Sequence, residues 1–231
     1  MAIDKENASV WATAWEMAAF SFRYPNRETA EAIVSGEWTA AAVEIVEALG
    51  GKLPEGFGQL PVMEEAQDAP QESDAIVDTF LHTIRAEATR LFVGAPTPAC
   101  SPYEGVWRAA DDGVQPLLFV NPHSMEVERF CKACGLGRPE GTNEPLDHVA
   151  TECELMQFLA ALAAGAALPE ESGITVDQLP DGSPEAAYDQ FLLTHVNTWM
   201  PRFAEKVMEE ARVPFYGAAA EYLKAVLDLA K

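Results

Sequence analysis

Apolar residues recur along this chain at intervals of three and four, the spacing that places them on one face of an α-helix. The first such stripe contains Trp11, Trp15, Ala18 and Phe22, and Tyr24–Pro25 ends it because the residue before a proline avoids helical geometry. Alternation of apolar and polar residues, which is typical of strands, is nearly absent. The pattern therefore predicts an all-α protein of about ten helices.

Capping residues and helix breakers set the ends of the other predicted helices. One further helix starts at Pro145, and another carries the apolar stripe of 188–203, kinked or restarted at Pro201. The remaining predicted helices cover about 26–35, 39–49, 73–91, 121–134 and 215–229.

Segments rich in proline, glycine or acidic residues separate these helices. We predict connections over 52–72, 95–121 and 163–183. The apolar run 117–120 inside the second of them is either a short strand or a buried link.

The stretch 144–156 combines several helix signals with an acid and an imidazole. Pro145 suits a first helical turn because its missing N–H would have no partner there, and Asp147 can cover free backbone donors. His148 and Glu152 lie one turn apart. The stretch is either a capped amphipathic helix in which His148 pairs with Glu152, or a helix start at which Asp147 and His148 face a groove that recognises an incoming chain.

Four stretches, in order along the chain, together resemble one known family. They are Arg90-Leu91-Phe92, Pro102-Tyr103-Glu104, Pro145-Leu146-Asp147-His148 with Glu152, and the series Phe191, His195, Trp199 and Phe203. Each is similar to a motif of the TorD/DmsD family of redox-enzyme maturation chaperones. The chain departs from the family pattern at Ala88, where many members have an aromatic residue, and at Gly105, where they often have Ser.

The resemblance implies a compact helical bundle that acts as a cytoplasmic chaperone, not as an enzyme, and has no cofactor of its own. Its expected partners are the twin-arginine leader peptide and the apo precursor of a molybdopterin-dependent anaerobic oxidoreductase. The chaperone would assist cofactor insertion and proofreading before export. Because family members exchange halves between subunits, the resemblance implies either a monomer or a domain-swapped homodimer.

Ten residues are assigned to partner binding, by the resemblance and, for Tyr103, Glu104 and Trp107, by their place in the long connection 95–121. Apolar contacts to the leader would come from Leu91, Phe92 and Pro145, and contacts to its arginines from Glu144 and Asp147. His148 would set the local protonation and geometry. The loop that holds Tyr103, Glu104 and Trp107 either borders a binding groove or only seals the core. The full set is Leu91, Phe92, Tyr103, Glu104, Trp107, Glu144, Pro145, Asp147, His148 and Glu152.

The chain carries 37 acidic against 15 basic residues, a formal net charge of −22. This charge argues against nucleic acid and anionic lipid as partners. It either favours a basic partner or serves only solubility. The N-terminus lacks the features of a secretory signal, and no apolar run reaches the roughly 18 residues of a membrane span, so we expect a cytoplasmic protein without membrane insertion.

Four cysteines, Cys100, Cys131, Cys134 and Cys153, do not suggest a disulfide framework at this length. Cys131 and Cys134, with His123 and His148, supply the ligand types of a structural zinc site. Helical periodicity favours buried structural cysteines instead, so no metal is predicted. Phosphate-binding and catalytic motifs are also absent from the sequence.

The predicted division of the chain is 1–140 and 141–231, in one compact unit with a hinge near 136–144. Two functional alternatives stay open beside the export chaperone. One is a chaperone of a non-exported nitrate-reductase-type subunit. The other is a small Cys/His metal-binding protein.

Overall fold

The computed structural model describes residues 3, 5–59, 73–115, 121–137 and 145–231. These residues form α-helices joined by turns, and they contain no β-strand. An isolated antiparallel bridge joins Tyr103 to His148. The prediction of an all-α protein of about ten helices is confirmed.

Ten α-helices lie in the described part of the chain. They are α1 Ala8–Phe22, α2 Arg27–Val34, α3 Glu37–Ala48, α4 Ser73–Ala88, α5 Glu104–Asp111, α6 Pro122–Ala133, α7 Val149–Ala163, α8 Pro184–Phe191, α9 Asn197–Glu210 and α10 Pro214–Leu229. Three short 3-10 turns, at Glu170–Ser172, Val176–Gln178 and Pro180–Gly182, follow α7 in the predicted connection.

Two segments widen into π-helical turns, at Thr89–Val93 after α4 and at Leu192–Val196 before α9. Such turns occur frequently at functional sites. The second one bears on the prediction for Pro201. Helix α9 runs through Pro201 without restarting, and the change of helical geometry lies upstream, in the π turn.

The chain divides into two compact units. The first comprises Met1–Ala19, Pro102–Pro201 and Ala230, and the second comprises Phe20–Ser101, Arg202–Leu229 and Lys231. In the first unit, α7 packs against α8, and the buried Trp15 indole donates a hydrogen bond to the Tyr188 hydroxyl at 2.8 Å. This unit holds the Pro-x-Asp-His motif.

The core of the second unit is aromatic. The Phe22 and Phe203 rings lie 5.2 Å apart, and the Phe92 and Tyr216 rings lie 5.5 Å apart, both in edge-to-face geometry. Helix α2 packs against α4 in the same unit. The buried Trp38 indole donates a hydrogen bond to the Ser21 hydroxyl at 2.9 Å.

Several predictions concern residues outside the described part of the chain. They are the second half of the 52–72 connection, the apolar run 117–120, and most of the hinge near 136–144. The predicted division into 1–140 and 141–231 therefore stays a prediction.

Candidate functional site

Two motif loops of the first unit, around Tyr103 and His148, pair through their backbones. Glu104 N–H donates to Asp147 C=O at 2.9 Å, and Val149 N–H donates to Pro102 C=O at 2.8 Å. These bonds fix the starts of α5 and α7 against each other. Residues that are far apart in sequence therefore form one structural element.

His148 is the N-cap of α7. Its Nδ1 accepts a hydrogen bond from Ala150 N–H at 3.1 Å, and its ring packs edge-on against Tyr103 with centroids 5.3 Å apart. Desolvation in this packing lowers the pKa of His148 to about 4, so the imidazole is neutral near pH 7. The predicted helix start at Pro145 is wrong, because α7 begins four residues later, at Val149.

Asp147 is buried, at 1% exposure, and it caps a different helix from the predicted one. Its Oδ2 accepts hydrogen bonds from Gly105 N–H at 2.9 Å and from Ser124 Oγ at 2.6 Å. Gly105 lies in the first turn of α5, so the carboxylate serves α5 across the loop pairing. Burial raises the pKa of Asp147, while the two hydrogen bonds oppose that shift.

Gly105 leaves the space that this cap needs. A Cβ at this position would overlap Ser124 Oγ and lie 3.0 Å from Asp147 Oδ2. The Asn121 amide also donates to the Gly105 C=O, at 2.7 Å. The departure from the family's Ser therefore follows from the polar groups packed against this residue.

Glu104 is fully buried and doubly paired. Its Oε1 accepts from Arg108 Nη1 at 3.0 Å, and its Oε2 lies 2.8 Å from His195 Nδ1. Arg108 also donates to Thr198 Oγ1 at 2.9 Å, and so ties α5 to α9 within the first unit. Glu104 is thus a carboxylate held by two partners, not a free acid on a surface.

Glu152 is also fully buried, and it does not form the predicted pair with His148. Its Oε2 accepts from the Trp199 indole N–H at 3.0 Å. Burial, and then the charge of Glu104, raise the pKa of Glu152 well above its usual range. The neutral form of Glu152 is therefore favoured, and its Oε1 is buried without a hydrogen-bond partner among the described residues.

The predicted partner-binding residues thus fall into two groups by exposure. Asp147, Glu104, Glu152, Leu91 and Pro145 are buried. The partly exposed ones are Phe92, Tyr103, Trp107 and His148, and Glu144 lies outside the described residues.

Leu91 and Phe92 belong to the second unit, in the π turn after α4. Leu91 is fully buried. The Phe92 ring lies among those of Phe22, Phe203 and Tyr216, with centroids 5.5 to 6.2 Å away. Most of this motif therefore builds the aromatic core.

Several members of the polar network were not singled out from the sequence as site residues. Arg108 was detectable, because it follows Glu104 by four residues on one helix. His195 and Trp199 are likewise four residues apart, on the predicted apolar stripe. Ser124 gave no signal, since its contact with Asp147 depends on the pairing of distant loops.

The four cysteines are free and buried. Burial raises the pKa of the Cys100, Cys131 and Cys134 thiols to about 12 each, which disfavours thiolate ligands. Among the described residues, no group of three or more His, Cys, Asp and Glu side chains is placed to hold a metal ion. His123 instead lies 2.9 Å from the Asp112 carboxylate.

Residues 51–205 match a family model described as nitrate reductase delta subunit, over more than half of the chain. The chain belongs to this family. The part of this chain that matches the family begins just after α3 and ends within α9, and it includes both paired motif loops.

Similar proteins that are named TorD chaperones confirm the resemblance to the TorD/DmsD family. Chaperone protein TorD of Vibrio cholerae serotype O1 (strain M66-2) is 30% identical over 145 residues, which cover 63% of this chain and 59% of that protein. Chaperone protein TorD of Shewanella oneidensis is 25% identical over 173 residues, 74% of this chain and 67% of that protein. The match thus spans about three fifths of the Vibrio relative's length.

The fold of this delta-subunit family member is shared with a solved structure. It is the crystal structure of a candidate redox enzyme maturation protein from Archaeoglobus fulgidus, with a TM-score of 0.52 and 17% identity. The similarity covers 94% of this chain and 93% of the other. In the described part of the chain, no helix is long and apolar enough to cross a membrane.

Proposed function

We propose that this protein is a cytoplasmic maturation chaperone for a redox enzyme. It binds the twin-arginine signal peptide and the apo form of a molybdopterin-dependent oxidoreductase, and holds them until cofactor insertion is complete. The observation that carries the proposal is the family match over residues 51–205. The similarity to relatives named TorD chaperones supports it.

Charge supports a basic peptide as the partner. The chain has a formal net charge of −22, which raises the local concentration of cationic segments and speeds their encounter. Exposed ion pairs each contribute only about 0 to 1 kcal/mol, so charge steers the peptide more than it holds it. Apolar contacts must therefore supply most of the affinity.

The exposure pattern divides the motif residues between two roles. Tyr103, Trp107 and His148 are partly exposed on the paired loops, and we assign them to direct contact with the leader. Glu104 and Asp147 are buried, so they act as positioning residues that fix these loops. Contact of Asp147 with the leader arginines stays a prediction, and its Oδ2 serves the α5 cap.

Calorimetric titration of the whole chain with the leader of a molybdoenzyme precursor encoded beside it tests the proposal. We expect micromolar or tighter binding that weakens in Trp107→Ala, because large aromatic side chains carry much of a typical binding energy. Phe57→Ala removes a buried aromatic ring of the second unit and controls for lost stability. No binding to the leader or to the precursor would overturn the proposal.

A second candidate is a chaperone of a non-exported nitrate-reductase-type subunit. The description of the matching family as nitrate reductase delta subunit favours it. Such a chaperone would bind an N-terminal segment that lacks the arginine pair. Binding that is unchanged when both leader arginines are replaced by glutamine would select this candidate over the first.

A further inference from the structure

A surface cleft of the first unit is lined by none of the ten residues predicted to bind a partner. It has a volume of 470 Å³ and lies beside α6, the 3-10 turn Val176–Gln178 and the π turn Leu192–Val196. Its chemically distinctive lining residues are Glu126, Arg129, Phe130, Gln178, Gln190 and His195.

Gln190 brings an unsatisfied acceptor to this cleft. Its side-chain Oε1 is buried and has no hydrogen-bond partner among the described residues. A buried polar atom without a partner is costly, and native structures pair most such atoms. Because Gln190 itself lines the cleft, a small rotation of its side chain would bring this oxygen to the N–H donors of a ligand.

His195 adds a second acceptor with a fixed orientation. Its Nδ1 lies 2.8 Å from the Glu104 carboxylate, which also accepts from Arg108, so Nδ1 carries the proton. In the tautomer that carries its proton on Nδ1, the imidazole has Nε2 as an acceptor. Phe191 stacks on the ring with centroids 4.6 Å apart, which holds the imidazole in place.

The charged residues of the cleft favour a cation over an anion. Arg129 is 73% exposed, and its guanidinium lies 3.4 Å from the Glu126 carboxylate. The carboxylate offsets the positive charge of Arg129. With a net charge of −22, the chain as a whole repels anions. The Phe130 ring offers an aromatic face on which a planar guanidinium stacks well.

We propose that this cleft binds the guanidinium of an arginine in a basic peptide whose flanking residues are apolar. Gln190 and His195 accept its hydrogen bonds, Glu126 supplies the opposite charge, and Phe130 packs against its plane. The inference rests on the proposed function, since it assigns an arginine of the leader peptide to a defined place.

Exposed apolar side chains near the cleft residues in sequence explain the apolar part of the preference. Met125 precedes Glu126 and is 55% exposed, and Leu193 precedes Thr194 and is 67% exposed. Val176, two residues before Gln178, is 45% exposed. A peptide seated by its arginine has apolar surface available on more than one lining element.

The test is calorimetry of the whole chain with a blocked peptide that carries two adjacent arginines followed by leucine and alanine residues. We expect Gln190→Met to weaken binding about tenfold, because a ligand donor loses its acceptor. Glu126→Gln should weaken binding about two- to fivefold. Glu128→Gln, on the same helix and outside the cleft lining, removes the same charge and should leave the dissociation constant unchanged.

Replacing the peptide arginines by lysine distinguishes guanidinium recognition from simple charge. We expect the lysine peptide to bind at least about fivefold more weakly than the arginine peptide, because an ammonium group neither stacks on a ring nor donates in a planar fork. Equal binding of the lysine peptide would overturn the inference. Tighter binding of a glutamate-containing peptide would also overturn it, and would assign the cleft to Arg129.

The inference and the proposed function fail in different ways. If the wild-type chain binds the arginine peptide while Glu126→Gln and Gln190→Met bind it equally well, the cleft assignment is wrong and leader binding stands. If Glu126→Gln and Glu128→Gln weaken binding to the same extent, only general charge attraction is present, and the cleft assignment is again wrong. If neither peptide nor precursor binds, both proposals fail.

Discussion

Glu152 shows how a buried residue can hold a proton that it would release in the unfolded chain. Because burial and Glu104 raise its pKa, the folded state binds more protons than the unfolded state above the ordinary range of a glutamate. Stability contributed through this group is therefore full at low pH and is lost as the pH rises toward its folded pKa. Its neighbour Trp199 stabilises the charged form and limits that loss.

Glu152→Gln should remove this pH dependence. The glutamine amide is always neutral, and its oxygen can still accept from the Trp199 indole N–H. We expect the unfolding free energy of the variant to gain on that of the wild type as the pH rises above about 4.5, the ordinary pKa of a glutamate, by up to about 1.4 kcal/mol per pH unit. Urea denaturation across this range measures the difference.

Glu154→Gln, on a partly exposed side of the same helix, is the matched control and should leave the slope as it is. A constant difference between Glu152→Gln and the wild type at every pH would contradict a protonated Glu152.

Gly105 makes a second test at the scale of one residue. Gly105→Ala should destabilise the fold by about 1–3 kcal/mol, because the new methyl group overlaps Ser124 Oγ beside the Asp147 cap. Gly217→Ala, inside α10, adds a methyl group into open space and should instead stabilise by up to about 1 kcal/mol. Thermal unfolding of the two variants should shift in opposite directions, and shifts of the same sign would contradict the crowding around Gly105.

At the scale of one helix, the start of α7 depends on the His148 imidazole. His148→Ala should cost about 1 kcal/mol by leaving Ala150 N–H uncapped, whereas His148→Asn keeps an acceptor at the N-cap and should cost less. Since the pKa of His148 is lowered to about 4, the unfolded state binds more protons between about pH 6.5 and pH 4. Its contribution is therefore present at neutral pH and is lost as the pH falls through this range.

Denaturant titrations at pH 7 and pH 5 measure both effects. His148→Asn should show a smaller loss of stability between the two pH values than the wild type. Equal destabilisation by Asn and Ala at pH 7 would show that packing against Tyr103, not the cap, is what His148 provides.

The helical elements themselves follow closely from local sequence. The apolar stripe of α1 and the Asn121-Pro122 start of α6 appear as predicted, with the Asn121 Oδ1 accepting from His123 N–H at 2.9 Å. The start of α7 does not, because residues 145–148 pair with the loop before α5. A proline and an aspartate can indicate a nearby cap, but local pattern cannot tell which helix the carboxylate serves.

The candidate site shows the same limit at a larger distance. The family motifs led to Glu104, Asp147 and Glu152, yet these residues are buried against His195, Ser124 and Trp199, which lie on other stretches of the chain. Acidic motif residues read from sequence suggest a charged binding surface. In the folded chain they form the polar interior that positions the partly exposed aromatic residues.

At the scale of the whole molecule, the excess of acidic residues makes peptide capture depend on salt. The formal charge of −22 attracts a basic leader from a distance, and the Debye length falls from about 30 Å at 0.01 M to about 8 Å at 0.15 M ionic strength. We expect the association rate constant to fall by about tenfold or more over this range. The dissociation rate constant should change little, because apolar contacts at short range hold the bound peptide.

Stopped-flow fluorescence with a labelled leader peptide separates the two rate constants. A leader whose arginines are replaced by glutamine is the control, and its association should be slow and nearly independent of salt. Salt that speeds dissociation of the native leader while leaving association unchanged would contradict steering. That result would mean that ion pairs hold the bound peptide and that the net charge serves chiefly to keep this chain dispersed.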